Sequence, residues 1–143
     1  MKLVMDTSAF IAGLRSPSGA VAELLRLFLL GRVVMLASVP LFIEYEAVAT
    51  REEHSRAAGL SRKEVGELLD ALAKVIRPID VEFFWRPQLR DPDDEMVLEV
   101  AINGAADAIV TFNVRDFAIG AARFGVRPMT PGETLVHLSK LWL

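Results

Sequence analysis

The feature that most constrains the fold is the alternation of short apolar runs with longer segments of helical periodicity. Three such runs, Lys2–Met5, Val33–Ala37 and Ala108–Thr111, are each bounded by polar or turn-forming residues. Runs of this length and composition are typical of strands buried on both faces, as in a parallel sheet. The alternation therefore predicts a three-layer α/β/α sandwich around a central parallel sheet.

Helices are expected between and after these strands. Apolar spacing and end signals predict them at Ala20–Leu30, after Ser38 and Pro40, at Val65–Ile76 and at Val97–Ile102. A further short helix is expected after the polar loop Asn113–Phe117, with its end at Gly125. Capping boxes at Ser61–Glu64 and Thr130–Glu133 mark two helix starts, and the second helix is expected to run to Leu143. Thr50–Leu60 reads as a charged connection, and Ile79–Leu89 is consistent with a strand. The 143 residues fit one domain, residues 1–143.

Composition excludes several classes of protein. The absence of cysteine excludes disulfide scaffolds and cysteine-ligated metal sites, and 52% hydrophobic residues exclude a disordered chain. Leu27–Ile43 is the most apolar stretch, but Gly31, Arg32 and Pro40 divide it into pieces too short to span a membrane. Asp6 interrupts the apolar region that a signal peptide would need. We therefore expect a protein of the cytoplasm without a membrane segment.

The net charge limits how the chain can meet nucleic acid. A formal charge of -3 excludes a strongly basic clamp. Contact with RNA or DNA would have to depend on bound cations or on scattered arginines, and those considered as phosphate contacts are Arg15, Arg51, Arg56, Arg86, Arg90 and Arg115. His54 and His137 are too few and too poorly placed for an acid–base ribonuclease that works without metal.

Acidic residues occupy the positions where the predicted strands end. Asp6 follows the first strand and Asp116 follows the last of the three, while Asp94 begins a helix and Glu44 lies on another. Because ligands of such sheets bind beyond the carboxyl ends of the strands, we expect these four carboxylates to converge. Carboxylates gathered in one pocket are kept ionised by a divalent cation, of which Mg²⁺ and Mn²⁺ prefer oxygen ligands. The pattern indicates metal-assisted hydrolysis of a phosphodiester.

Structural roles compete with this interpretation. Asp6 could cap a helix that begins near Ser8, Glu44 alone could be a solvated helix residue, and Asp116 could cap its own helix. One of the acids in Asp91–Glu95 should cap the helix that follows, but capping accounts for one acid and not for four in five positions.

The ordered set of motifs resembles a PIN domain. The motifs are the strand followed by Asp6-Thr7-Ser8, the Glu-Tyr-Glu after Pro40, the segment from Asp91 to Ala101, and Ile109-Val110-Thr111 followed by Asn113 and Asp116-Phe117. More narrowly, the chain is similar to the toxins of bacterial and archaeal toxin–antitoxin modules of the VapC kind. The resemblance spans Lys2 to about Glu133.

This resemblance implies a Mg²⁺- or Mn²⁺-dependent ribonuclease, a toxin silenced by an antitoxin protein that covers an acidic pocket. Asp6, Glu44, Asp94 and Asp116 match the four family acids in order, with Asp6, Asp94 and Asp116 expected to hold the metal. Thr111 and Asn113 match the polar residues beside the last acid, and we expect Ser8 to support Asp6 by a hydrogen bond. Two assignments stay open, since Glu46 could replace Glu44, and Asp91 or Asp93 could replace Asp94.

Two other classes of function share part of this pattern, and one helix bears on assembly. A haloacid-dehalogenase-like phosphatase shares the strand-then-Asp start but needs a second Asp where Ser8 stands. A receiver-like or other non-catalytic binding module would give no reason for both Asp94 and Asp116 to point inward. The helix Ala20–Leu30 is more apolar than the outer layer of a lone domain requires, which indicates a homodimer or an antitoxin groove.

Overall fold

A computed structural model of the chain describes residues 1–142, except for the side chains of Glu52 and Ser55. Its strands are β1 (Lys2–Met5), β2 (Val34–Ala37), β3 (Arg77–Pro78), β4 (Ala108–Val110) and β5 (Arg127–Met129). Its helices are α1 (Thr7–Arg15), α2 (Ala20–Leu29), α3 (Val39–Ala49), α4 (Glu52–Ala58), α5 (Arg62–Val75), α6 (Pro92–Asn103), α7 (Val114–Ala122) and α8 (Pro131–Leu141). Leu143, the expected end of the last helix, lies outside the described residues.

The described strands form one parallel sheet in the order β3-β2-β1-β4-β5. Strand β1 lies at its centre, and Leu3, Val4 and Met5 are completely buried. Such complete burial explains why these strands read as continuous apolar runs rather than as alternating ones. The prediction of an α/β sandwich with a central parallel sheet is confirmed.

The strand order reverses between β1 and β4, and this reversal decides where a site can form. From β1 the chain moves outward through β2 to β3, and it then returns to the other side of β1 with β4. Crevices for ligands open beyond the carboxyl ends of the strands at such a reversal. Asp6 and Thr111 are the residues that directly follow β1 and β4, so both lie at this position.

Most apolar side chains of helix α2 are buried within the molecule. It packs against α1, α5 and α8, and buries Val21, Leu24, Leu25 and Phe28. Its high apolar content is therefore explained by contacts within the chain, and it gives no argument for an assembly. Gly31, just past the end of this helix, adopts a φ of 72°, a left-handed conformation that glycine allows without strain.

Three elements differ from the expectations. The strand considered within Ile79–Leu89 is absent from the described structure, where the ladder residues are Arg77 and Pro78. Strand β5 was not anticipated, and the charged connection before Leu60 contains helix α4. Both edge strands are very short, and each contains a proline, Pro78 or Pro128. Proline within a sheet is largely confined to edge strands, and it weakens the residue pattern by which a strand is recognised.

No helix in residues 1–142 has the length and apolar character needed to cross a bilayer.

Candidate active site

The carboxylate of Asp6 is held at the point where the strand order reverses. It caps α1, with Oδ1 accepting from the backbone N–H of Ala9 at 2.8 Å and Oδ2 accepting from Thr111 Oγ1 at 2.5 Å. Burial raises the pKa of Asp6 above its ordinary value, although these two hydrogen bonds act in the opposite direction. Capping and a chemical role are therefore compatible, since each oxygen has a second acceptor direction.

Thr111 connects the carboxyl end of β4 with that of β1 through a hydrogen bond. Its hydroxyl is fully buried, donates to Asp6 and accepts the backbone N–H of Asn113 at 2.9 Å. The side chain of Asn113 is exposed and makes no capping hydrogen bond to α7. Ser8 was expected to support Asp6, but the donors to that carboxylate among the described residues are Ala9 and Thr111. Ser8 instead lies exposed on the wall of a cavity that Asp6 also lines.

Glu44 is fixed on α3 beside Asp6. Its Oε2 accepts the hydroxyl of Thr7 at 2.7 Å, and its side chain is half-buried. Glu46, the alternative, is exposed, because residues two positions apart on a helix point in nearly opposite directions. The intervening Tyr45 is completely buried and donates to the carbonyl of Met5. Burial, followed by the charges of Asp6 and Glu44, raises the pKa of Tyr45 well above its ordinary value, so it remains a neutral donor.

The acids at the start of α6 divide their roles. Asp91 caps the helix and accepts the N–H of Asp93 at 2.9 Å. Asp94 is half-buried, and burial together with the charges of Asp91, Asp6, Asp116 and Asp93 raises its pKa to about 6. The charges of both Asp6 and Asp116 thus reach Asp94, which is one of the three candidates for the third acid.

Two cavities meet at these acids. The first, about 520 Å³, is lined on its acidic side by Asp6, Glu44, Asp91, Asp93 and Asp94. The second, about 540 Å³, contains Asp116 on the first turn of α7 and shares Asp91 and Asp94 with the first. The structure therefore brings all four predicted acids to one region, with Asp94 between Asp6 and Asp116.

The donor set suits a hard divalent cation. Within the described part of the chain, no three or more acidic or histidine side chains are placed closely enough to hold a metal ion by themselves. Mg²⁺ does not require such a set, because it keeps several waters and is commonly bound by one or two carboxylates together with substrate phosphates. Burial and the charges of neighbouring carboxylates together raise the pKa of Asp94, and a bound cation would offset both effects.

Sequence reasoning missed the residues that support this cluster. Glu95 is buried, and its Oε1 accepts the N–H groups of Gln88 and Leu89. Arg86, considered as a phosphate contact, instead forms a two-pronged ion pair with buried Glu99, both N–O distances being 2.7 Å. A signal existed in the sequence, because Glu95 and Glu99 are four residues apart among apolar neighbours and must share one helix face.

Comparisons with known proteins agree with this geometry. The family model described as PIN domain matches residues 2–115. Among solved structures, the chain is similar to one in the crystal structure of VapBC2 from Rickettsia felis bound to a DNA fragment from their promoter. The TM-score is 0.59 at 14% identity, over 91% of this chain and 98% of that one. No curated protein matches by sequence. With its fold, the position of its acids and a family match over most of its length, the chain belongs to the PIN-domain family.

Proposed function

We propose that this protein is a metal-dependent endoribonuclease that hydrolyses phosphodiester bonds of single-stranded or looped RNA. The observation that carries the proposal is that Asp6, Asp94 and Asp116 lie at the strand reversal around two cavities that share Asp94, whose pKa is raised to about 6 by burial and by the neighbouring acids. A fold gains nothing from holding unpaired carboxylates together, so the arrangement favours a cationic ligand.

Asp6, Asp94 and Asp116 are the residues that would hold Mg²⁺ or Mn²⁺. When bound there, the ion would lower the pKa of a water and offset the charge that develops on the phosphate oxygens. Asp6 is kept in one orientation by Ala9 and Thr111, so its free lone pairs face a fixed direction. Glu44, held by Thr7, has a free Oε1 with which to orient or accept a proton from an attacking water.

Two other readings of the strand-then-Asp start have less support. A phosphatase of the haloacid-dehalogenase kind would place a second acid at position 8, where the chain has an exposed serine. A non-catalytic module would give no reason for Asp6, Glu44 and Asp94 to line one cavity. Neither of these alternative functions would require Glu44 and Asp116 together with Asp6.

We further propose that the protein is the toxin of a toxin–antitoxin module and acts in the cytoplasm. Support comes from the family match and from the likeness to a chain of a VapBC complex. An antitoxin protein would cover the acidic cavity, and a homodimer would bury apolar side chains such as Val39 and Ile43 on α3, which are 66% and 56% exposed.

The test is cleavage of a labelled single-stranded RNA with Mg²⁺, Mn²⁺ or EDTA, for the wild type, Asp6→Asn and Asp70→Asn. Asp70 is an exposed residue of α5 and controls for loss of one surface charge. We expect cleavage that requires metal, is abolished by Asp6→Asn and is unchanged by Asp70→Asn. Cleavage in EDTA, or cleavage by Asp6→Asn at the wild-type rate, would refute the mechanism.

A further inference from the structure

The first cavity has a basic end opposite its acidic one. Besides the acids, its walls include Arg15 at the last turn of α1, Arg51 just after α3, and His54 on α4. Three separate elements thus bring cationic or polar nitrogen groups to one place in a chain whose net charge is negative. The remaining lining side chains between the two ends are small or apolar.

The two ends are separated by the length of α1. Asp6 caps this nine-residue helix and Arg15 lies in its last turn, so the two residues are ~13 Å apart along the helix axis. This separation is between backbone positions, and because helical side chains lean toward the N-terminus, the long side chain of Arg15 can reach a phosphate close to the one at the acids. A single strand whose scissile phosphate lies at the acids would carry a neighbouring phosphate to the basic end.

The side chains at the basic end are available for such a contact. Arg51 is exposed, and its guanidinium makes no hydrogen bond or ion pair with the described residues. Arg15 is hydrogen-bonded to Nδ1 of half-buried His54. Because a guanidinium can only donate, Nδ1 of His54 is the acceptor, and this contact holds Arg15 against the wall. The other guanidinium N–H groups of Arg15 have no hydrogen-bond partner among the described side chains.

We propose that Arg15 and Arg51 form a phosphate subsite for a nucleotide next to the cleaved bond, with His54 as a positioning residue for Arg15. This inference rests on the proposed nuclease function and adds a second place where the substrate RNA is bound. The acids repel every phosphate that no metal screens, whereas the arginines attract them, so the cavity favours a strand that runs from one end to the other.

The test measures RNA binding in EDTA, where metal-dependent cleavage does not interfere. The affinity for a labelled single-stranded RNA is determined by fluorescence anisotropy at several salt concentrations for the wild type, Arg51→Ala, Arg51→Lys and Arg62→Ala. Arg62 is exposed on the first turn of α5, outside the cavity, and serves as the matched control. For each lost phosphate contact, the slope of log K against log salt should become shallower by ~0.7.

We expect Arg51→Ala to weaken binding and to flatten this slope, while Arg51→Lys and Arg62→Ala keep it. In Mg²⁺, Arg51→Ala should lower kcat/KM for a long RNA but not for a dinucleotide, which has no neighbouring phosphate for the basic end. An unchanged slope for Arg51→Ala, or an equal effect of Arg62→Ala, would overturn the subsite. Failure of the nuclease proposal would show separately, as a wild type that cleaves no RNA with any metal.

Discussion

At the scale of single residues, Asp6 serves two purposes with one carboxylate. It caps α1 through Ala9 and lies beside Thr111 at the centre of the sheet. The sequence suggested both roles as competitors, because a pattern of residue types cannot show how many acceptor directions a side chain uses. The structure shows that the cap occupies only part of the carboxylate, which leaves the rest for a ligand.

Replacing Thr111 with valine should impair the site more than the fold. The change removes the donor to Asp6, so the pKa of Asp6 rises further and the acidic limb of the pH–activity profile moves to higher pH. We expect activity to fall about 10- to 100-fold, as when other outer-shell partners of metal ligands are lost, and stability to fall by about 1–2 kcal/mol. RNA cleavage across pH and urea unfolding measure the two effects.

Thr134→Val is the matched control for this change. Thr134 is also fully buried, but its hydroxyl donates to the carbonyl of Thr130 at the start of α8. It should lose similar stability with an unchanged pH profile, and Thr111→Ser should restore activity. A Thr111→Val protein with the wild-type rate and profile would show that Asp6 does not depend on this hydrogen bond.

Replacing Asp94 with asparagine should stabilise the metal-free protein at neutral pH. The folded-state pKa of Asp94 is raised from 3.8 to about 6, so the folded protein binds its proton more tightly than the unfolded chain does. The wild type therefore loses stability as pH rises from about 4 to about 6, and the loss is complete above that window. Thermal unfolding in EDTA should show a higher midpoint for Asp94→Asn at about pH 7.5 and little difference at about pH 4.

The exposed Asp70→Asn protein should follow the wild type at both pH values. Half-burial of Asp94 lets solvent screen part of the repulsion, so the expected gain is modest. A midpoint for Asp94→Asn that is equal to or below the wild-type value at neutral pH would show that the neighbouring acids do not repel it.

At the scale of elements, the start of α6 brings Asp91, Asp93 and Asp94 to the first cavity. The sequence predicted that one of Asp91–Glu95 caps this helix and left the third acid open among Asp91, Asp93 and Asp94. The choice depends on the irregular segment before the helix, which Glu95 and the ion pair of Arg86 with Glu99 hold in place. These contacts join residues across a loop without periodicity, so no local pattern could reveal them.

Replacing Glu95 with glutamine should loosen this support. The charged carboxylate accepts two backbone N–H groups, from Gln88 and Leu89, and such hydrogen bonds are stronger with an ionised acceptor. We expect a loss of about 1–3 kcal/mol in urea unfolding, together with lower activity because Asp94 is the preceding residue. Glu67→Gln, at an exposed position of α5, should change stability by less than about 0.5 kcal/mol. Equal stability of both variants would contradict the role of Glu95.

At the scale of the whole molecule, the apolar central strands were predictable and the edges were not. The patterns at Lys2–Met5, Val33–Ala37 and Ala108–Thr111 predicted β1, β2 and β4, the three central strands of the sheet. Because Asp6 and Thr111 directly follow β1 and β4, between which the strand order reverses, the position of the candidate site could be predicted from the sequence. The short edge strands with their prolines, and the polar helix α4, depend on tertiary contacts that leave no periodic signal.

The distribution of charge over the whole molecule indicates how a protein with a net negative charge could bind RNA. The net charge of -3 offers no general attraction for phosphate, and the acids of the cavity would repel it. A divalent cation at one end and arginines at the other would reverse the local field without changing the overall charge. The affinity for substrate should therefore depend mainly on the concentrations of metal and salt, and less on the net charge of the protein.

The most direct measurement is isothermal titration of Mn²⁺ into the wild type, Asp6→Asn, Asp116→Asn and Asp70→Asn. Asp6 and Asp116 are 110 residues apart in the sequence, and they share a ligand only if the fold gathers them at the reversal of the sheet. We predict that either substitution weakens Mn²⁺ binding tenfold or more, about 1.4 kcal/mol, while Asp70→Asn binds like the wild type. Wild-type affinity in both Asp6→Asn and Asp116→Asn would contradict a shared cation site.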